Sequence, residues 1–181
     1  MYNEKGELHS VNDKPAYIGR DGTKLWYRND KLHRDNDKPA CIWSTGTKEW
    51  YQNDKLQRDN DKPAVEKSDG TKEWRQNDKL HRDNDKPAVI WSTGTKEWWY
   101  NNKLDRLRGP AIIYPDGGKL WFIDGKEYTE EEFKKIVKIR TELARWVYQR
   151  WYSDFMRNPN TERGQRYISK DYDRMMKELK K

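Results

Sequence analysis

The sequence predicts a mainly β fold: an elongated antiparallel ribbon of β-hairpin repeats on a 24-residue unit, followed by a C-terminal α-helical segment. Three observations predict it. The string HRDNDKPA at residues 33–40 returns at 81–88, and Trp26, Trp50, Trp74 and Trp98 keep a step of 24, with Trp121 following after a one-residue deletion. Within each copy, short β-type runs alternate with Asp-Gly and Asn-Asp turn signals. After Tyr128 the apolar period lengthens from two residues to about 3.6.

Five near-copies fill residues 9–128, and a partial copy, Tyr2 to Leu8, leads into them. The organisation expected is a repeat array over 1–128 and an amphipathic, basic helical tail over 129–181. Only 33% of the 181 residues are apolar and 38% are charged, which argues against a conventional two-layer core. Ten Trp and eleven Tyr argue equally against disorder, since disordered segments are poor in aromatics. A thin array in which each repeat buries its surface against its neighbours satisfies both.

One copy, residues 15–34, reads as follows. Ala16 to Arg20 is a short strand, Asp21-Gly22 a turn, Thr23 to Arg28 a second strand and Asn29-Asp30 another turn. Pro15, Pro39, Pro63, Pro87 and Pro110 lack a backbone donor and suit connections or strand starts. Strict alternation along Thr23 to Arg28 places Lys24, Trp26 and Arg28 on one face and Thr23, Leu25 and Tyr27 on the other. Two strands per copy advance the sheet by about 10 Å, so Trp26, Trp50, Trp74, Trp98 and Trp121 form a structural ladder. Ile18, Ile42, Ile90 and Ile113 fill the gaps beside it.

On Trp26, Tyr27, Asn29, Lys31, His33 and their downstream counterparts, the unit resembles the MORN repeat family. It departs from that family where glycines after the His are replaced by Arg34, Arg58 and Arg82, followed by D-N-D-K-P-A. This is similar to a variant form abundant in proteins of large DNA viruses, which often end in a helical segment. The resemblance implies a hairpin ribbon, and for function a scaffold, dimerisation module or lipid binder. It also implies a virion or capsid association, or a place in the host cytoplasm.

Candidate chemistry is sparse. His9, His33 and His81 recur like rungs beside Asp35/Asp37, Asp59/Asp61 and Asp83/Asp85, but the His column also holds Gln57 and Asp105, and D-N-D-K lacks the Gly and distal Glu of a calcium loop. The Asn/Asp clusters read as turns, so no metal ligand is assigned. No nucleophile elbow, phosphate loop or paired metal motif occurs, and a repeat gives every rung the same residues where an active site usually needs one constellation. The sequence thus predicts no catalytic residue and no cofactor. Cys41 stands in a column with Tyr17, Val65, Val89 and Ile112 and reads as a small apolar filler. No apolar run is long enough to span a membrane, and the N-terminus lacks a signal-peptide core, so an intracellular location is expected.

Two sets of residues point outward. The third repeat carries Glu66 in the Ile column, Lys67 in the column of Trp43 and Trp91, and Arg75 in that of Tyr27 and Trp99. A protein partner is then expected on either side of it, through Trp43 and Tyr51 or through Trp91, Trp99 and Tyr100; drift on an exposed face is the other reading. Lys24, Lys48, Lys72, Lys96 and Lys119 would share the Trp face, either as a phosphate-binding stripe or as a solvated surface.

The array is close to neutral, with 24 basic and 22 acidic residues through Tyr128, against 14 and 9 beyond it. Thr129-Glu130-Glu131-Glu132 forms a capping box, and a helix can run from there to about Asn158 before Pro159. Phe133, Val137, Ala144, Val147, Trp151 and Phe155 make its apolar stripe, flanked by Ile136, Leu143 and Tyr148. A shorter amphipathic helix is expected around Ile168 to Leu179. The leading expectation is a non-enzymatic assembly scaffold that binds protein partners, copies of itself or capsid components. The alternative is binding of nucleic acid, or of anionic lipid, by the tail through Lys134, Lys138, Arg145, Arg163 and Arg166.

Overall fold

A computed structural model describes residues 1–157, with side chains through Arg150. The chain divides into two compact units, Met1–Thr129 and Glu130–Lys181.

The first unit is a long antiparallel sheet of hairpin strands. Eleven strands pair in chain order: Tyr17–Ile18, Lys24–Leu25, Cys41–Ile42, Lys48–Glu49, Val65–Glu66, Lys72–Glu73, Val89–Ile90, Lys96–Glu97, Ile112–Ile113, Lys119–Ile123 and Lys126–Tyr128. Beside them stand four two-stranded hairpins, the first pairing Tyr27–Arg28 with Lys31–Leu32. Each of the first four full repeats thus contributes two strands to the sheet and two to a side hairpin.

The turn chemistry explains both hairpins. Gly19 N–H bonds Thr23 O at 2.8 Å and Gly22, at φ 90°, closes a three-residue loop whose left-handed position suits glycine. Asn29 and Asp30 both have positive φ, 51° and 62°, between the paired Arg28 and Lys31, which is the type I′ geometry that matches strand twist. Asn36 and Asp37 repeat it at 59° and 55°, with Lys38 N–H on Asp35 O at 3.3 Å. The D-N-D-K string is therefore a second type I′ turn.

The run Thr23 to Arg28 is not one strand. Trp26 N–H reaches Ala40 O at 2.8 Å on the sheet side, while Trp26 O accepts from His33 N–H at 3.1 Å on the side-hairpin side. The chain changes partners at the tryptophan, and the same switch occurs at Trp50, Trp74 and Trp98. Alternation cannot be carried through such a break: Trp26 is buried to 4% exposure while Lys24 is exposed. The stripe expected to combine Lys and Trp does not form.

Within the sheet, adjacent residues take opposite faces. One row runs Ile18, Lys24, Ile42, Lys48, Glu66, Lys72, Ile90, Lys96, Ile113, Lys119 in cross-strand register and is exposed or half-buried. The isoleucines expected to fill gaps beside the tryptophans lie here, alternating with lysines. The other row runs Tyr17, Leu25, Cys41, Glu49, Val65, Glu73, Val89, Glu97, Ile112, Leu120. Cys41, Val65, Glu73, Val89 and Ile112 of it are buried, as are Ala40, Ala64, Ala88 and Ala111 after the prolines.

Side hairpins are joined by a two-bond clasp. Asp54 N–H bonds Leu32 O at 3.0 Å, and the Asp54 carboxylate accepts Leu32 N–H at 2.7 Å; Asp30, Asp78 and Asn102 do the same to Leu8, Leu56 and Leu80. The partial N-terminal copy joins through this clasp and the Tyr2–Leu8 bridge.

The second unit holds α1, Glu130–Arg157. Three glutamates fill its first turn, where carboxylates offset the unsatisfied N–H groups, and Lys134 pairs with Glu130 at 2.7 Å. Among the described side chains, exposure is lower at Phe133, Ile136, Val137, Ala144, Val147 and Tyr148, the stripe that the sequence predicts. Leu143, expected to flank it, is 58% exposed. The side chains of Trp151 and Phe155, together with Arg163, Arg166 and the expected helix over Ile168 to Leu179, lie outside the described residues.

Candidate interaction sites

The tryptophans that recur every 24 residues are committed internally. Trp74 donates its indole N–H to Asp61 O at 2.9 Å, and the Arg82 guanidinium lies over its ring, 3.7 Å from the centroid. Arg82 then grips the Asp61 carboxylate with Nε at 2.6 Å and Nη2 at 3.1 Å, while Nη1 donates to Pro87 O at 3.1 Å. Lys86 adds an ion pair to the same carboxylate. Trp26, Trp50 and Trp98 carry the same arrangement with Arg34, Arg58 and Arg106 on Asp13, Asp37 and Asp85. Arg34, Arg58, Arg82 and Arg106 are thus ring covers that tie each repeat to the turn of the one before.

Electrostatics follow the geometry. Hydrogen bonds from Arg58 and Lys62 hold the Asp37 carboxyl at about 2, and those from Arg82 and Lys86 hold Asp61 at about 2. Asp13 is likewise pulled well below the usual carboxylate range by Arg34 and Lys38. Trp121 stands apart from the four: it lies in the unbroken strand Lys119–Ile123, opposite Tyr128, and is only half-buried.

The histidine column serves the same turns. His33 accepts Asn53 N–H at Nδ1, 3.3 Å away, and meets Asp35 through Nε2 at 3.1 Å. In the next repeat the side-chain oxygen of Gln57 accepts Asn77 N–H at 3.3 Å, so Gln replaces His without loss of that bond. His81 is buried, with its ring 4.7 Å from that of Tyr100.

Three of the residues expected to face a partner, Tyr51, Trp91 and Trp99, gather around acids. Glu97 accepts the indole N–H of both Trp91 and Trp99 at 2.8 Å. Glu49 accepts the Tyr51 hydroxyl at 3.1 Å; burial first, and then the Glu49 charge, push the Tyr51 phenol up. Glu73, the buried member of the column, meets Lys67 Nζ at 2.8 Å and Arg75 Nη2 at 2.8 Å, and burial and these cations oppose one another with its carboxyl left below its ordinary value. The two aromatic-to-cation changes in the third repeat are therefore one change, made around one carboxylate. Trp43 is 42% exposed, Trp91 38% and Tyr114 40%, all in the column that holds Lys67. The sequence offered a signal for this that a reading by columns missed: Lys67 stands across the turn from Glu73, and Arg75 follows it by two residues.

Lys24, Lys48, Lys72, Lys96 and Lys119 are exposed, as are Lys138 and Arg145 on α1, whereas Lys134 is paired. Among the described residues, no helix is long and apolar enough to cross a membrane. Compared with family models, curated proteins and solved structures, the chain matches none of them.

Proposed function

We propose that this chain is a non-enzymatic protein–protein interaction and assembly scaffold of the MORN-like kind. The observation that carries this reading is the division of labour among its aromatics. Trp26, Trp50, Trp74 and Trp98 are buried under arginines and hold successive repeats in register, whereas Trp43 and Trp91 remain exposed in a column of their own. Part-exposed tryptophans of this kind are residues that interfaces favour. The partner is a second copy, a capsid component or another protein. Association with a virion or capsid of a large DNA virus, or residence in host cytoplasm, is part of this proposal and rests on the sequence resemblance.

Site-specific photo-crosslinking in the native source tests it. A crosslinker at position 43 or 91 is expected to capture a defined partner or a second copy, and one at Lys24 is not. A chain that stays monomeric in light scattering and crosslinks to nothing from 43 or 91 would sink the proposal.

A further inference from the structure

Glu49, Glu73 and Glu97 occupy one column of the sheet, and their surroundings differ in a telling way. Glu73 is met by two cations of its own repeat, Lys67 and Arg75. Lys67 also stands over the Trp91 ring, with Nζ 5.4 Å from the centroid, so an ammonium already sits between a carboxylate and an indole in this fold. Glu97 and Glu49 receive only neutral donors: two indole N–H groups on the former and the Tyr51 hydroxyl on the latter. Among the described residues no Lys or Arg pairs with either carboxylate. The indole edges at Glu97 are occupied and Lys67 stands over one face of Trp91, which leaves the Trp99 ring and the other face of Trp91 beside a negative charge. Ring quadrupole and carboxylate both attract a cation there.

We propose that Trp43–Glu49–Tyr51 and Trp91–Glu97–Trp99 are two slots, each receiving a lysine or arginine side chain of a protein partner, as Lys67 and Arg75 do internally at Glu73. The inference rests on the interaction reading above and gives its partner a chemistry: a basic segment. Two repeats separate the slots, four strand spacings or about 19 Å. An extended chain rises about 3.4 Å per residue, so basic residues six apart fall on one face and reach both. Lys67, whose ammonium lies between Glu73 and the Trp91 ring, repels a third basic residue between the slots. Glu73 cannot compete for the ligand, since its own cations already cover it.

The test is a titration of the ¹⁵N-labelled full chain, followed by the indole N–H signals of Trp91 and Trp99. The probe is a Gly/Ser peptide with arginines at its first and seventh residues. Saturable shifts of both signals are expected, with affinity falling about tenfold as salt is raised to 0.5 M. Trp91→Lys with Trp99→Arg copies the third repeat and should abolish binding at the second slot, read by calorimetry because this double lacks both reporter indoles. Lys67→Trp with Arg75→Tyr copies the second repeat and should open a further slot for N-acetylarginine amide. Both doubles place residues that the same columns already carry, and circular dichroism checks that they fold. Equal shifts with a glutamate-for-arginine peptide, or unchanged binding in both doubles, would overturn the slots. Crosslinking from 43 and 91 without any arginine response would refute the slots while leaving the interaction reading standing; failure of both would remove both.

Discussion

Arg82 lies over Trp74, its guanidinium carbon 3.7 Å from the ring centroid, and from that position reaches the Asp61 carboxylate of the preceding repeat. One side chain therefore shields an indole and fixes the spacing between neighbours. Three further copies of the arrangement along the array make it the unit of cohesion.

Removing the ring should cost more than removing its cover. Trp74→Ala empties a site of 8% exposure and is expected to lower stability by about 3–5 kcal/mol. Arg82→Ala, which loses the stack and a partly exposed ion pair, should cost about 1–2 kcal/mol. Arg82→Lys should fall between Arg82→Ala and wild type, because an ammonium cannot grip Asp61 and Pro87 O together. Urea unfolding followed by tryptophan fluorescence measures all three, and a larger loss for Arg82→Ala than for Trp74→Ala would contradict the ranking.

Acid should loosen the array in a defined window. Asp37 and Asp61 titrate at about 2 in the folded chain, below the value near 4 of an unfolded aspartate, so their stabilisation is full above pH 4 and fades as pH falls towards 2. Both carboxylates are more than a third exposed, which keeps each contribution small. Melting temperature against pH should drop between pH 4 and 2, and Asp37→Asn with Asp61→Asn should flatten that drop while lowering stability at pH 7.

His33→Gln should be nearly silent, within about 0.5 kcal/mol, because the Gln57 oxygen already accepts an N–H from Asn77 in the same place. His33→Leu leaves the Asn53 N–H without its acceptor and should cost about 1–2 kcal/mol. Equal effects of the two substitutions would show that the ring, and not its nitrogen, matters.

Cys41 is 1% exposed and burial pushes its thiol up to about 12. A thiol reagent at pH 8 should leave it unmodified in the folded chain and label it promptly in urea. Cys41→Val should fold normally, since Val65 and Val89 fill the same column.

Much of the architecture was legible in the chain. A period of 24 with Gly22-type and Asn-Asp turns required hairpins, and the shift in periodicity at Tyr128 with three glutamates placed the start of α1. The candidate slots were legible only as residues: Trp43, Tyr51, Trp91 and Trp99 were visible, but Glu49 and Glu97 join the aromatics only through side-chain contacts across the hairpins. Alternation assumes an unbroken strand, and the break at each buried tryptophan depends on a bond to the alanine 13 or 14 residues on, such as Trp26 N–H to Ala40 O.

By itself the sequence determined the repeat, its turns and the helix, because these depend on local backbone preference and on the spacing of apolar side chains. Tertiary structure decided what the charged residues are for. Arg82 finds Asp61 across 21 residues and Lys67 finds the Trp91 ring across 24, pairings that arise only when one repeat is laid against the next. Charge and ring contacts act through space over a few ångströms, so stacking of repeats, and not order along the chain, selects the partners.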